Sequence, residues 1–418
     1  MKIGLYVRGE LMHHNTTLIN DTQALSERVQ FFFRDYSQDL FSQFLSFNED
    51  DESLFIVLHP SETMVEFIWH PTHMICRAQT CSVGPGYHAY VVDLIIKLGK
   101  EIGITWTWPT PEEGNPYLKN RYFKPGDFGK LQEDMLHYLK HVCNQCIALG
   151  SGQNRINFPI VYPPLVDQFF AASQLQKWTK EWIYETASAE ERKLEQAGST
   201  FYIWWDKDAT VNFYKRSGIA ILNIDCYWRF PDDEREKRTF QLIDACFKKA
   251  RQIDLSIDLP EEDWGTIRQY MSGNEVDIYD TEFGYRKGKM TFTLAFGWKI
   301  NLPGYFYYTV NEKAEEIYFF DEFDIRTFSY FLTDEEKNND AFLANYFGKE
   351  IKNGTEVITS ENGIAGRAII NPHHFDDKEM WILKGVKVLE DQCLICGIGY
   401  PTEAEKEEAV KIWNSIGR

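Results

Sequence analysis

The spacing of hydrophobic and polar positions changes character twice along this chain, and each change marks a different kind of element. Apolar residues recur at helical spacing through Leu25 to Phe47, and two apolar runs, Leu54 to Leu58 and Met64 to Ile75, then read as strands. Tyr87, Tyr90, Val91, Leu94, Ile95, Leu98 and Ile102 keep i, i+3, i+4, i+7 spacing and predict an amphipathic helix. Gly103 ends that helix, Ile104 to Trp108 alternates as a strand, and Pro109 to Pro125 is a Pro/Gly/Asn-rich connection. Long-period patterns then predict helices through Gly129 to Leu149, Leu165 to Ala187 and Asp232 to Ile253. The last has acids on its first turn and Lys248, Lys249 and Arg251 on its last, matching the helix dipole. Ala187 to Gly198 is charged and reads as an exposed helix or a linker.

From about Tyr279 the pattern shortens to strands: Met290 to Phe296, Tyr305 to Val310, Ile317 to Phe320 and Trp381 to Leu389, with a charged loop at Asp334 to Asp340. Thr402-Glu403-Ala404-Glu405 is a capping box opening a last helix with the stripe Val410, Trp413 and Ile416. The prediction is an α+β protein: an α/β domain over 1–165, a mainly helical region over 166–275 and an antiparallel sheet-rich domain with a closing helix over 276–418.

Composition narrows the function classes. The apolar fraction of 44% and charged fraction of 26% are those of a soluble globular protein, but 15% aromatic residues is high. Such an excess serves a heavy core or a contact surface, with core the commoner use. The net charge of −19 disfavours nucleic acid and anionic membrane and favours a basic partner protein. The opening Met1 to Arg8 is strand-like with no signal-peptide pattern, and no apolar run has the length to cross a bilayer. Eight cysteines in 418 residues are too few for a disulfide scaffold, so a cytoplasmic protein with reduced thiols is expected.

The richest local chemistry lies in Gln79 to His88, where two glycines, a proline, two hydroxyls, a thiol and an imidazole stand between a strand and a helix. A turn at a helix N-terminus presents free backbone N–H groups that can hold an anion. Cys81 and His88 are therefore the candidate nucleophile and base, and Ser82, Gly84 and Gly86 the candidate ligand-binding residues. Two C-x-x-C pairs also occur, at Cys143/Cys146 and Cys393/Cys396. The first falls on the apolar face of its helix, and the second lies in a strand, where i and i+3 point to opposite faces; both read as core. Glu133, His137 and His141 form an i, i+4, i+8 stripe, but without a third-ligand pattern they read as a solvated helix face. His70/His73 and His373/His374 read as turn surface. No metal or cofactor is assigned.

Gly84 and Gly86, on a turn between a strand and a helix, resemble the acyl-CoA loop of GNAT-type acetyltransferases. Cys81 stands where that family has a basic residue or Gln, and Pro85 removes an N–H donor the loop would use. More broadly, Ser82 to His88, Trp228-Arg229-Phe230-Pro231, Pro260 to Trp264, Gly297-Trp298 with Pro303-Gly304, and Trp413-Asn414-Ser415 resemble, in this order, a group of uncharacterised bacterial cytosolic proteins. That likeness spans most of the chain and carries over no catalytic residue.

Two readings follow. One is a partner-binding or inhibitory, immunity-like protein presenting acidic and aromatic surface to a basic partner. The other is an enzyme or small-ligand-binding protein using the Thr80–His88 turn as an anion or acyl site.

Overall fold

The computed structural model describes residues 3–11, 22–37, 40–50, 52–70, 72–109, 127–149, 175, 178, 180–274, 289–311, 315–320, 323–333, 346, 355–361, 363–375 and 378–417. The architecture is α+β, with an N-terminal sheet, a helical middle and a C-terminal sheet. Chain contacts divide it into two compact units: Met1–Tyr162 with Asp167–Gly284, and Pro163–Val166 with Tyr285–Arg418.

In the first unit, β1 (Gly4–Leu11), β2 (Ser46–Glu49), β3 (Ser53–Val57), β4 (Val65–Trp69), β5 (Met74–Gln79) and β6 (Ile104–Thr107) form one sheet in the order β2-β3-β4-β5-β1-β6. Every pairing in it is antiparallel. The apolar run Met64 to Ile75 thus contributes to two strands, not one, and Phe47 lies in β2 beyond the helices α1 (Thr22–Tyr36) and α2 (Leu40–Phe44). Strand β4 alternates buried and half-buried residues, as a strand covered on one face does. Helix α3 (Pro85–Ile102) buries its apolar stripe and ends at Gly103, whose positive φ of 73° lets its N–H close back on Gly99 O.

Helices α4 (Phe128–Leu149), α5 (Lys180–Ser188), α6 (Glu191–Phe201), α7 (Val211–Ile224), α8 (Glu234–Ile253) and α9 (Glu261–Met271) complete this unit. Their apolar faces join the same core as the sheet, so the helical middle belongs to one unit with the N-terminal strands and is not a region of its own. Helix α8 begins as its sequence requires: the Asp233 side chain accepts from Glu236 N–H, and Glu236 is paired with Arg229 at 2.5 Å.

In the second unit, β9 (Tyr307–Val310), β10 (Glu316–Phe320), β11 (Phe323–Phe331), β12 (Thr355–Glu361), β13 (Ile364–Phe375), β14 (Lys378–Leu389) and β15 (Gln392–Tyr400) form an antiparallel sheet ordered β12-β13-β14-β15-β11-β10-β9. A separate hairpin joins β7 (Lys289–Thr293) to β8 (Lys299–Pro303). The expected capping box at Thr402 is present and leads into α10 (Lys406–Asn414), whose Trp413 is fully buried. A Cβ on Gly385 would come within 2.5 Å of the Trp413 ring, so β14 has glycine where that indole packs.

Candidate functional site

Strand β5 delivers the Thr80–His88 turn into the interior of the first unit. Thr80, Cys81, Val83 and His88 are all buried. Gly84 takes φ 120° at the N-cap of α3, a conformation that favours glycine. Val83 O accepts from Trp204 N–H at 2.8 Å, and Gly86 N–H donates to Trp204 O at 3.0 Å. This two-way backbone bridge brings the 202–206 segment hard against the turn. A Cβ on Gly86 would lie 2.1 Å from Trp204 Cδ1 and 2.3 Å from the Asp206 carbonyl oxygen. The glycines are there so that a second backbone can approach, not so that a ligand can.

The expected anion hole is also occupied, by the chain itself. Ser82 N–H and Val83 N–H donate to Glu62 Oε2 at 2.8 and 3.2 Å, and Ser82 Oγ donates to Oε1 at 2.7 Å. Burial pushes the Glu62 carboxyl up to about 7, with these hydrogen bonds acting in the opposite sense. Cys81 and His88 do not form a nucleophile–base pair. Burial and the neighbouring Glu62 push the thiol up to about 12, and the side chains that hydrogen-bond it are Tyr138 and Gln79. His88 turns Nδ1 to Thr80 Oγ1 at 2.7 Å, and burial lowers its pKa to about 3. The turn can brace a fold; its thiol is neither accessible nor ionised at neutral pH, and its imidazole does not protonate there.

The same holds for a serine–histidine pair beside it. His59 Nε2 lies 3.0 Å from Ser217 Oγ on α7, with both residues buried. Its Nδ1 accepts from Ser61 N–H, which puts the ring proton on Nε2. The imidazole therefore donates to Ser217 Oγ, the reverse of what a general base for that hydroxyl needs.

Other sequence candidates are dispersed. Among the described residues no group of three or more His, Cys, Asp or Glu stands together as metal ligands. On α4, Glu133 pairs with Lys130 on the exposed face, while Cys143 is fully buried; the Cys146 side chain lies outside the described residues. Cys393 and Cys396 enter different core clusters of the C-terminal sheet, as residues three apart on a strand must. His70 and His73 stack at 4.6 Å beside a crevice with room for about one water. The Asp334–Asp340 segment lies outside the described residues, and so does the His374 side chain.

An open site adjoins the segment that the turn grips. Between the Tyr202–Thr210 segment and α7 is a polar cleft of about 230 Å3. Trp204, Trp205 and Phe213 wall its apolar side, with Trp204 and Phe213 rings 4.3 Å apart. Asp206, Asn212 and Arg216 give it charge and hydrogen-bonding capacity. The Arg216 guanidinium is half-buried, and its Nη1 donates to Ser199 O at 2.5 Å and Tyr202 O at 2.9 Å. No other protein acceptor meets this guanidinium among the described residues, so Nε and Nη2 keep donors for a ligand. Burial lowers the Arg216 pKa and Asp206 acts against that, but a guanidinium stays charged at any physiological pH.

Sequence reasoning missed Arg216, Asp206 and Glu62. The helix carrying Arg216 was not anticipated, and its only sequence sign is Thr210 ahead of an apolar run. Glu62 sits in an ordinary turn string, Ser61-Glu62-Thr63, and nothing local foretells a carboxylate reaching residues 20 positions on. No protein family matches the sequence, and a search of curated proteins finds no match.

Proposed function

We propose that the protein binds a small anionic ligand, bearing a carboxylate or phosphate group, in the cleft between the Tyr202–Thr210 segment and α7. Arg216 carries this reading. A guanidinium fork fixed by two carbonyls, with its remaining donors unclaimed, is built for a planar or tetrahedral oxyanion. The tryptophan walls supply apolar contact for the rest of a ligand of modest size. The Thr80–His88 turn serves as the brace that holds one wall in place, through the Val83–Trp204 and Gly86–Trp204 hydrogen bonds. The test is ligand-observed NMR with a library of small carboxylates and phosphates against the wild type and Arg216→Gln. Binding that the substitution abolishes supports the reading; a library with no Arg216-dependent binder removes it.

Binding of a basic partner protein, in the immunity-like sense, keeps less support. None of the twelve tryptophans is exposed, so indoles do not furnish surface anchors. Acidic charge is spread at similar density: 41 acidic against 28 basic residues in the first unit, and 22 against 16 in the second. What favours it is the exposure of Phe319, Phe328 and Ile358 on the C-terminal sheet. A pull-down at two salt concentrations tests it: one stoichiometric basic protein, released by salt, is the result it requires.

A further inference from the structure

Arg216 and Asp206 line the same cleft, yet they form no ion pair with each other; Arg216 is tied to two backbone carbonyls, and among the described residues Asp206 Oδ2 accepts from Thr210 Oγ1 alone, at 3.3 Å. Opposite charges that share a concave site usually join unless something holds them apart. Here the holders are visible. The Ser199 and Tyr202 carbonyls fix the guanidinium on the α7 side. The Gly86 approach fixes the backbone of Asp206 on the other. The cleft therefore presents a fixed cation on one element and a carboxylate on the other, with aromatic side chains from both elements lining it. We propose that its ligand is a free α-amino acid: the carboxylate sits on Arg216 Nε and Nη2, the ammonium on Asp206, and the side chain against Trp204, Trp205 and Phe213.

The chemistry is selective in a checkable way. A simple anion satisfies Arg216 but leaves Asp206 facing a like charge. A simple amine satisfies Asp206 but sits near the guanidinium. Only a molecule carrying both charges on a short spacer meets both, and the two interactions reinforce each other inside a partly desolvated cleft. Asn212, exposed at the cleft mouth on the first turn of α7, adds an amide that can accept from the ammonium or donate to the carboxylate.

This inference rests on the anionic-ligand reading, and the experiment separates the two. Each standard amino acid is titrated into the full-length protein by calorimetry, and the best binder is then compared with its carboxamide and its des-amino acid. The expected result is binding of the amino acid at least about ten-fold tighter than either analogue. Asp206→Asn should erase the advantage over the des-amino acid, weakening the amino acid and, with the like charge gone, tightening that acid. Because Asp206 is exposed, this variant should fold as the wild type does. If the des-amino acid binds as tightly as the amino acid, the zwitterion proposal falls and the anionic-ligand reading stands. If no amino acid binds, the proposal is overturned outright, and if no carboxylate or phosphate binds either, both readings fall.

Discussion

The Thr80–His88 turn and the cleft at Arg216 both adjoin one short segment, Tyr202 to Asp206, and they divide the usual marks of a functional site between them. The turn has the residue types: glycines, hydroxyls, a thiol, an imidazole and a helix N-terminus. Yet its N–H groups are spent on Glu62 and Trp204, and its thiol and imidazole are buried. The cleft has an unremarkable sequence, but it is open, polar and walled by aromatic rings, with a cation whose Nε and Nη2 donors meet no protein acceptor among the described residues. Chemistry-bearing residue types cost nothing to recognise in a string. What makes a site is donors left without protein partners, and that depends on which distant segment packs where.

The sharpest break in this comparison would come from Gly86→Ala. A Cβ there meets the Asp206 carbonyl and the Trp204 ring, neither of which is a flexible side-chain end, so a loss of about 3 kcal/mol is expected in chemical denaturation. A turn built to receive a ligand would tolerate a methyl group far better, with a cost under about 1 kcal/mol.

Next in size is a pH effect at Glu62. Its folded pKa of about 7 stands above the ordinary 4.5, so the folded state holds the proton more tightly than the unfolded chain does. The contribution of Glu62 to stability is fullest below about pH 4.5, declines as pH rises, and levels off above about pH 7. Wild type minus Glu62→Gln should fall by about 3 kcal/mol across that window in denaturation titrations. His59 and His88 run the other way. Both are lowered to about 3 from 6.5, so their stabilising effect is complete above about pH 6.5 and is lost as pH falls towards 3. In the difference between wild type and Glu62→Gln those histidine contributions cancel.

Cys81 gives a smaller and chemically distinct effect. With the thiol buried and pushed up to about 12, iodoacetamide at pH 8 should leave Cys81 unmodified in the native protein and alkylate it fully in urea, read by peptide mass spectrometry. Native labelling at Cys81 would restore it as a reactive group.

Much of the fold was legible because its signals are local. The stripe from Tyr87 to Ile102, the anionic start of α8 and the capping box at Thr402 are properties of neighbours a few residues apart, and each produced the expected element. The site was not legible, because its parts are joined through space. The grip of Gly86 on Trp204 spans more than a hundred residues, and whether a helix N-terminus holds a substrate or the chain's own glutamate depends on where Glu62 folds back. Arg216 looks like any basic residue on a helix until the Ser199 and Tyr202 carbonyls are seen to fix it.

The division of labour between turn and cleft is tested most directly by thermal denaturation of Cys81→Ala and Asp206→Asn beside the wild type, each with and without the tightest amino-acid ligand. Cys81→Ala should lose about 1 kcal/mol of stability and keep the full ligand-induced rise in Tm. Asp206→Asn should stay within about 0.5 kcal/mol of wild type and lose most of that rise. The opposite pattern, with the ligand response lost in Cys81→Ala and kept in Asp206→Asn, would return the site to the turn and contradict this account.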